Sequence, residues 1–140
     1  MTAVALVGSW KLRLAQVEMA ETGQRSDLYG PKPIGRAILA DNGFVMFIIT
    51  AGGRPVPTTE SDSAGLFKSM MAYTGRYRIE DGDKLITTVD VSWHPGWIGS
   101  EQVRFFKLDG DVLSIRSAPW THPNFPVREV YGVLEWLREA

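Results

Sequence analysis

The chain has 140 residues, 44% apolar and 22% charged, with a formal net charge of −1 and no cysteine. That length supports one domain, residues 1–140, with a core of its own. The composition excludes disulfides and thiol catalysis and gives no basic field for nucleic acid or an anionic membrane; no apolar run reaches 18 residues, and two histidines without cysteine are a poor ligand set for zinc.

The opening MTAVALVGSW lacks a basic n-region and is too short for a secretory signal, so the expected compartment is the cytoplasm. A first strand is expected over Ser9–Met19. Gly35–Asp41 and Phe44–Thr50 read as strands two and three around Asn42-Gly43. TESDSAGLFKSM carries a cap-like Ser or Asp and reads as a short helix between strands three and four. Met71–Glu80 and Lys84–Trp93 flank Asp81-Gly82, and Glu101–Leu108 and Asp111–Ala118 flank Asp109-Gly110. Such Asn-Gly and Asp-Gly pairs favour two-residue hairpin turns. Val127–Leu137 is the eighth strand, and the aromatic tail YGVLEWLREA reads as a closing strand, a homodimer face, or both.

Eight strands in a meander, with little helix to cover a sheet, predict an all-β fold: an eight-stranded antiparallel up-and-down β-barrel closed on itself. The three tight turns fall at one end. The longer connections, residues 20–34, 51–70, 94–100 and 119–126, fall at the other, which makes a cup with a mouth.

Centring the hairpins on their turn pairs sets Tyr77 opposite Ile86, Tyr73 opposite Asp90 and Phe106 opposite Leu113. A symmetric loop about Trp97 then sets Asp90 opposite Arg104 and Ser92 opposite Gln102. One face collects Tyr73, Tyr77, Asp90, Ser92, Gln102, Arg104, Phe106 and Ile115; the other collects Arg76, Arg78, Glu101, Lys107 and Arg116, and its charges mark it as outward. Asp90 and Arg104 are therefore expected inside, beside Tyr73, as an ion pair that fixes register or as polar groups for a ligand. His94, Trp97, Trp120 and His122 lie in mouth loops and are added as ligand contacts, with Tyr29 and Phe125 completing an aromatic rim. No G-x-S-x-G, H-E-x-x-H, P-loop or dinucleotide fingerprint occurs, so neither cofactor nor metal is expected.

Two functions fit this cup. One is binding of a small, largely apolar molecule. The other is a cofactor-independent isomerase, cyclase or hydratase/hydrolase, with Asp90 as general base, Arg104 holding it and Tyr73 donating to a carbonyl.

GSWKL, LYGPKPIGRAILADNGFVMF and AYTGRYRIEDGDKLITTVDVSWHPGWIGSEQVRFFKLDGDVLSIRS together resemble the bacterial and fungal lipocalin-like domain family. The most specific parts are Tyr73-x-Gly75-x-Tyr77, Pro95-x-Trp97-x-Gly99, Gln102-x-Arg104 and Leu108-Asp109-Gly110-Asp111. The resemblance implies a calycin-type barrel, and a carrier or an enzyme of secondary metabolism. It also implies that Trp10 packs near Arg138 at the closed end, a structural role. Some relatives look as if they carry a histidine where Thr87 and Thr88 stand here.

Overall fold

The computed structural model describes residues 3–121 and 129–139. In chain order the strands are β1 (Gly8–Met19), β2 (Arg25–Asp27), β3 (Ile34–Leu39), β4 (Phe44–Thr50), β5 (Met70–Glu80), β6 (Lys84–Ser92), β7 (Glu101–Asp109), β8 (Val112–Ser117), β9 (Trp120–Thr121) and β10 (Glu129–Arg138). One helix, α1 (Glu60–Lys68), and 3-10 turns at Ala3–Leu6 and Pro95–Trp97 complete the elements. Eight strands form a closed antiparallel barrel in the order β1-β3-β4-β5-β6-β7-β8-β10, sealed by β10 pairing with β1. The two short strands, β2 and β9, add to β1 and β10 beyond the ring. Because β2 enters the count, the helix lies between β4 and β5 rather than between strands three and four.

Alternation sets the walls. In β4, Val45, Phe47 and Ile49 are buried while Met46 and Ile48 face out, 51% and 43% exposed. In β1 the buried set changes parity, from Trp10 and Leu12 to Ala15, Val17 and Met19. A bulge between Leu12 and Leu14, against β10, makes that switch.

The helix is capped by Thr59, whose side chain accepts from the Asp62 backbone N–H, so the cap is neither the Ser nor the Asp read from the sequence. The Asp62 carboxylate accepts in turn from the Thr58 N–H and hydroxyl, which holds it below the usual carboxylate range. The other end of α1 is tied down by Arg54, which donates to the Leu66 carbonyl at 2.9 Å and to Ser69 Oγ at 3.1 Å.

At the end holding the β3–β4, β5–β6 and β7–β8 turns, the interior is filled. Trp10, Leu39, Val45, Leu85, Leu113 and Trp136 are all buried there. The Arg138 guanidinium lies 4.2 Å from the Trp10 ring centroid, so the packing implied by the family resemblance is present. The Trp10 indole N–H donates to the Leu6 carbonyl at 3.0 Å, and Arg138 donates to the carbonyls of Ala5 and Val7.

Three register expectations are corrected here. The β5–β6 loop holds three residues, Asp81, Gly82 and Asp83, with Glu80 opposite Lys84. Tyr77 therefore opposes Thr87, one residue from the expected Ile86. A one-residue slip turns every side chain of a strand to the other face. Leu85, Thr87 and Val89 consequently point in and are buried, while Thr88 and Asp90 are exposed. The β6–β7 connection slips by an odd number as well, pairing Thr87 with Gln102 and Leu85 with Arg104. The second slip cancels the first, so β7 keeps the expected inward residues Gln102, Arg104 and Phe106. The β7–β8 turn centres on Gly110-Asp111 and sets Phe106 opposite Ile115, a shift that preserves the face.

Candidate functional site

Above the filled end the barrel encloses a cavity of about 510 Å³. Phe47, Ile49, Met71, Ile115 and Leu134 give it apolar walls, and Tyr29, Tyr73, Gln102, Arg104 and Ser117 bring polar groups to it. Each wall residue is there by strand parity. Tyr29 arrives differently: after β2 the Leu28 N–H bonds the Ala15 carbonyl at 3.1 Å, and this docks the loop that carries Tyr29. The sequence reading put Tyr29 on the rim. Its burial beside Arg104 and Tyr73 depends on β2, whose three residues give too short a pattern to read.

Aromatic rings run along one side of the site. Trp97 lies 5.4 Å from Tyr73, Tyr73 lies 5.3 Å from Phe47, and Trp93 lies 5.1 Å from Trp97. Trp97 is presented by the Pro95–Trp97 turn, which His94 caps by accepting the Gly96 N–H on Nδ1 at 3.0 Å. His94 is exposed and packs edge-on against Trp93 and tilted against Phe67, away from the cavity lining.

Asp90 and Arg104 do not meet. Asp90 is exposed and is the residue that β6 bulges out between Val89 and Val91, opposite Gly75 and Thr74. Arg104 reaches the cavity with neutral partners. Its Nη2 donates to Gln102 Oε1 at 3.0 Å and its Nη1 to the Val103 carbonyl at 2.9 Å. Gln102 is oriented by donating from Nε2 to Ser100 Oγ at 2.8 Å. The expected ion pair fails for the register reason given above.

The other residues singled out in the sequence divide by position. Tyr77 is half-buried, and its hydroxyl donates to the Ala40 carbonyl at 3.0 Å, tying β5 to the β3–β4 turn outside the cavity lining. Ser92, rather than the expected Asp90, opposes Tyr73; the bulge at Asp90 restores Ser92 to the face expected of it, and its hydroxyl accepts from the His94 N–H at 3.2 Å. Phe106 is buried in the core beside Ile115 without lining the cavity. Trp120 is placed in β9, and His122 and Phe125 lie outside the described residues. Thr87, on the inner face of β6, is 1% exposed.

The two cavity tyrosines are protonated at neutral pH. Burial pushes the Tyr29 hydroxyl up to about 12, with the Arg104 charge opposing the rise. Burial also raises Tyr73, again against Arg104. An unfolded chain ionises these phenols near 10.0, the folded barrel only above that. The stability they contribute is complete below the unfolded value and is lost as pH climbs through the folded one. Urea midpoints should therefore fall between pH 10 and 12, and Tyr29→Phe should flatten that fall. An exposed Asp90 carries the opposite expectation. Asp90→Asn should move the melting temperature by no more than about 2 °C in a thermal melt.

A family model described as a lipocalin-like domain matches residues 7–138. The chain belongs to the lipocalin-like domain family. It is 29% identical over 72 residues to the 4'-hydroxy-3'-methoxypropiophenone carrier protein ppsC of Aspergillus oryzae. That match takes 46% of this chain and 62% of the relative, so this lipocalin-like chain spans less than two thirds of the curated protein it matches. Among solved structures it is similar to a redesigned beta barrel at 12% identity and a TM-score of 0.44, covering 99% of this chain and 96% of that one. Among the described residues, no helix is long and apolar enough to cross a membrane, and no cluster of His, Cys, Asp and Glu could hold a metal ion.

Proposed function

We propose that this lipocalin-like barrel binds and carries a small, largely apolar aromatic molecule of secondary metabolism in its cavity. The observation that carries the reading is the cavity itself. Its volume falls within the roughly 300–1,000 Å³ of small-molecule sites, and its walls are apolar with a few convergent polar groups. The carrier named among the relatives supports an aromatic ketone with phenol and methoxy substituents as the first compound to try.

Binding is favoured over catalysis by what the cavity lacks as chemistry. Asp90, the general base of the enzymatic alternative, is exposed on the outside. Glu101 borders the cavity, but its carboxylate is held by Arg78 at 2.7 Å. Among the described residues the cavity thus offers donors and a cation without an acid–base partner.

The test is a titration of the protein with 4'-hydroxy-3'-methoxypropiophenone and a panel of single-ring aromatic ketones and phenols, read by tryptophan fluorescence, since Trp97 lines the cavity. Saturable one-to-one binding is expected. Ile115→Trp should weaken it at least about tenfold by filling the cavity while the barrel stays folded. Absence of saturable binding across the panel would overturn the reading.

A further inference from the structure

Arg104 is a cation inside the cavity with no acid opposite it. Two of its five N–H groups are used, on Gln102 Oε1 and the Val103 carbonyl, and both acceptors are neutral. No carboxylate of the described residues comes within 4.0 Å of it. On the outer wall Arg13, Arg25, Arg36, Arg78 and Arg116 pair with glutamates, while Arg76, which has no such pair, is exposed and lies over the Phe44 ring. Arg104 is half-buried, and a partly desolvated charge with no opposite charge beside it is an unopposed cation for any anion that enters the cavity.

Its neighbours are suited to donate rather than to neutralise. The Tyr29 and Tyr73 hydroxyls make no hydrogen bond among the described residues; as phenols they are protonated at neutral pH, and burial moves both further from ionising. The guanidinium is also aimed in advance. Trp97 O accepts from Ser100 Oγ, Ser100 Oγ accepts from Gln102 Nε2, and Gln102 Oε1 is thereby left to hold Arg104. Fixed donors in a half-buried site act more strongly on negative charge than the same donors free in water.

We propose that the ligand's polar end is an oxyanion, a phenolate or a carboxylate, seated on the Arg104 guanidinium with the Tyr29 and Tyr73 hydroxyls as flanking donors. This rests on the reading of the cavity as a ligand site. A para-acyl group already makes a phenol acidic by spreading the charge into the carbonyl, and the Arg104 cation with the two donors favours the bound anion further, so the bound phenol gives up its proton to the buffer more readily than the free one. The barrel thus selects acidic phenols or acids over neutral aromatic molecules of the same shape.

The experiment compares three compounds on the intact protein: 4'-hydroxy-3'-methoxypropiophenone, its 4'-O-methyl ether, which cannot ionise, and 4-methoxybenzoate, whose only anion is a carboxylate. Affinity is read by fluorescence, and the phenol's ionisation by its phenolate absorption band. The bound phenol is expected to ionise at least about one pH unit below the free compound, and at neutral pH to bind at least about tenfold more tightly than the ether. Arg104→Gln should return the ionisation to its free value and level the two affinities, while Arg104→Lys should keep part of the shift. If the phenol merely equals the ether but 4-methoxybenzoate exceeds it tenfold, the anion is a carboxylate. Equal binding of all three, with the phenol titrating as it does free, overturns the proposal and leaves the ligand site standing. Binding of none of them removes the ligand reading for this class and this proposal with it.

Discussion

Gly75→Ala is expected to lower the melting temperature by about 10 °C, a loss of about 3 kcal/mol. Gly75 is the central residue of Tyr73-x-Gly75-x-Tyr77 and sits where the β5–β6 ladder changes register. A Cβ built there would stand 1.9 Å from the Thr88 carbonyl oxygen and 3.1 Å from the Val89 Cα. Those are backbone atoms of the next strand, so no side-chain rotation relieves the clash. Either the bulge straightens or the strands part. Straightening would move Asp90 into the ladder and turn Ser92 away from Tyr73, which a packed interior resists. Thr74→Ala is the neighbouring control. It loses the hydroxyl bond to the Val45 carbonyl at 2.7 Å and should cost about 1 kcal/mol. Urea and thermal denaturation of the two variants give the comparison. A Gly75→Ala protein as stable as Thr74→Ala would mean that the two strands do not approach as described.

The same bulge shows how far the sequence could be read. Strand positions followed from runs of apolar and β-branched residues between turn signals, and they match to within about two residues. The closed barrel followed from counting those strands. Register was harder, because it depends on turn length, and Asp81-Gly82 looks the same in a two-residue as in a three-residue loop. Asp81 and Gly82 do adopt positive φ, 54° and 76°, but Asp83 joins them in the loop and shifts β6 by one. Asp90 was misplaced for that reason alone. Arg104 and Gln102 were placed on the correct face through two odd shifts that cancel. Phe47 and Ile49 went unassigned because FVMFIIT is apolar on both faces, so alternation gives no parity signal in β4. Only the barrel context separates them from Met46 and Ile48. Tyr29 needed a tertiary contact, the docking of its loop on β1, that no local pattern encodes.

Trp10→Ala is expected to be the most damaging single truncation at the closed end, at about 4 kcal/mol. Trp10 is 0% exposed, and its register partner across the β1–β10 seam is Arg138 itself. Removing the ring opens a void, frees the Leu6 carbonyl that the indole N–H satisfied, and leaves the guanidinium without the face it covers at 4.2 Å. Arg138 has a second task, since it also donates to the Ala5 carbonyl at 2.7 Å and to the Val7 carbonyl at 3.2 Å, which pins the N-terminal turn beneath the barrel. Arg138→Met keeps the aliphatic stem but loses these bonds and should cost about 2 kcal/mol. The double variant with Trp10→Leu should show a coupling of about 1 kcal/mol, the part that belongs to the cation over the ring. Neither residue borders the cavity. Trp10→Phe should therefore lower the unfolding midpoint while leaving affinity for the aromatic ligand within about twofold, and Arg104→Gln should do the reverse. Finding both effects in both variants would mean that the filled end and the cavity act as one unit. Finding them separated would assign stability to the Trp10–Arg138 seam and recognition to Arg104.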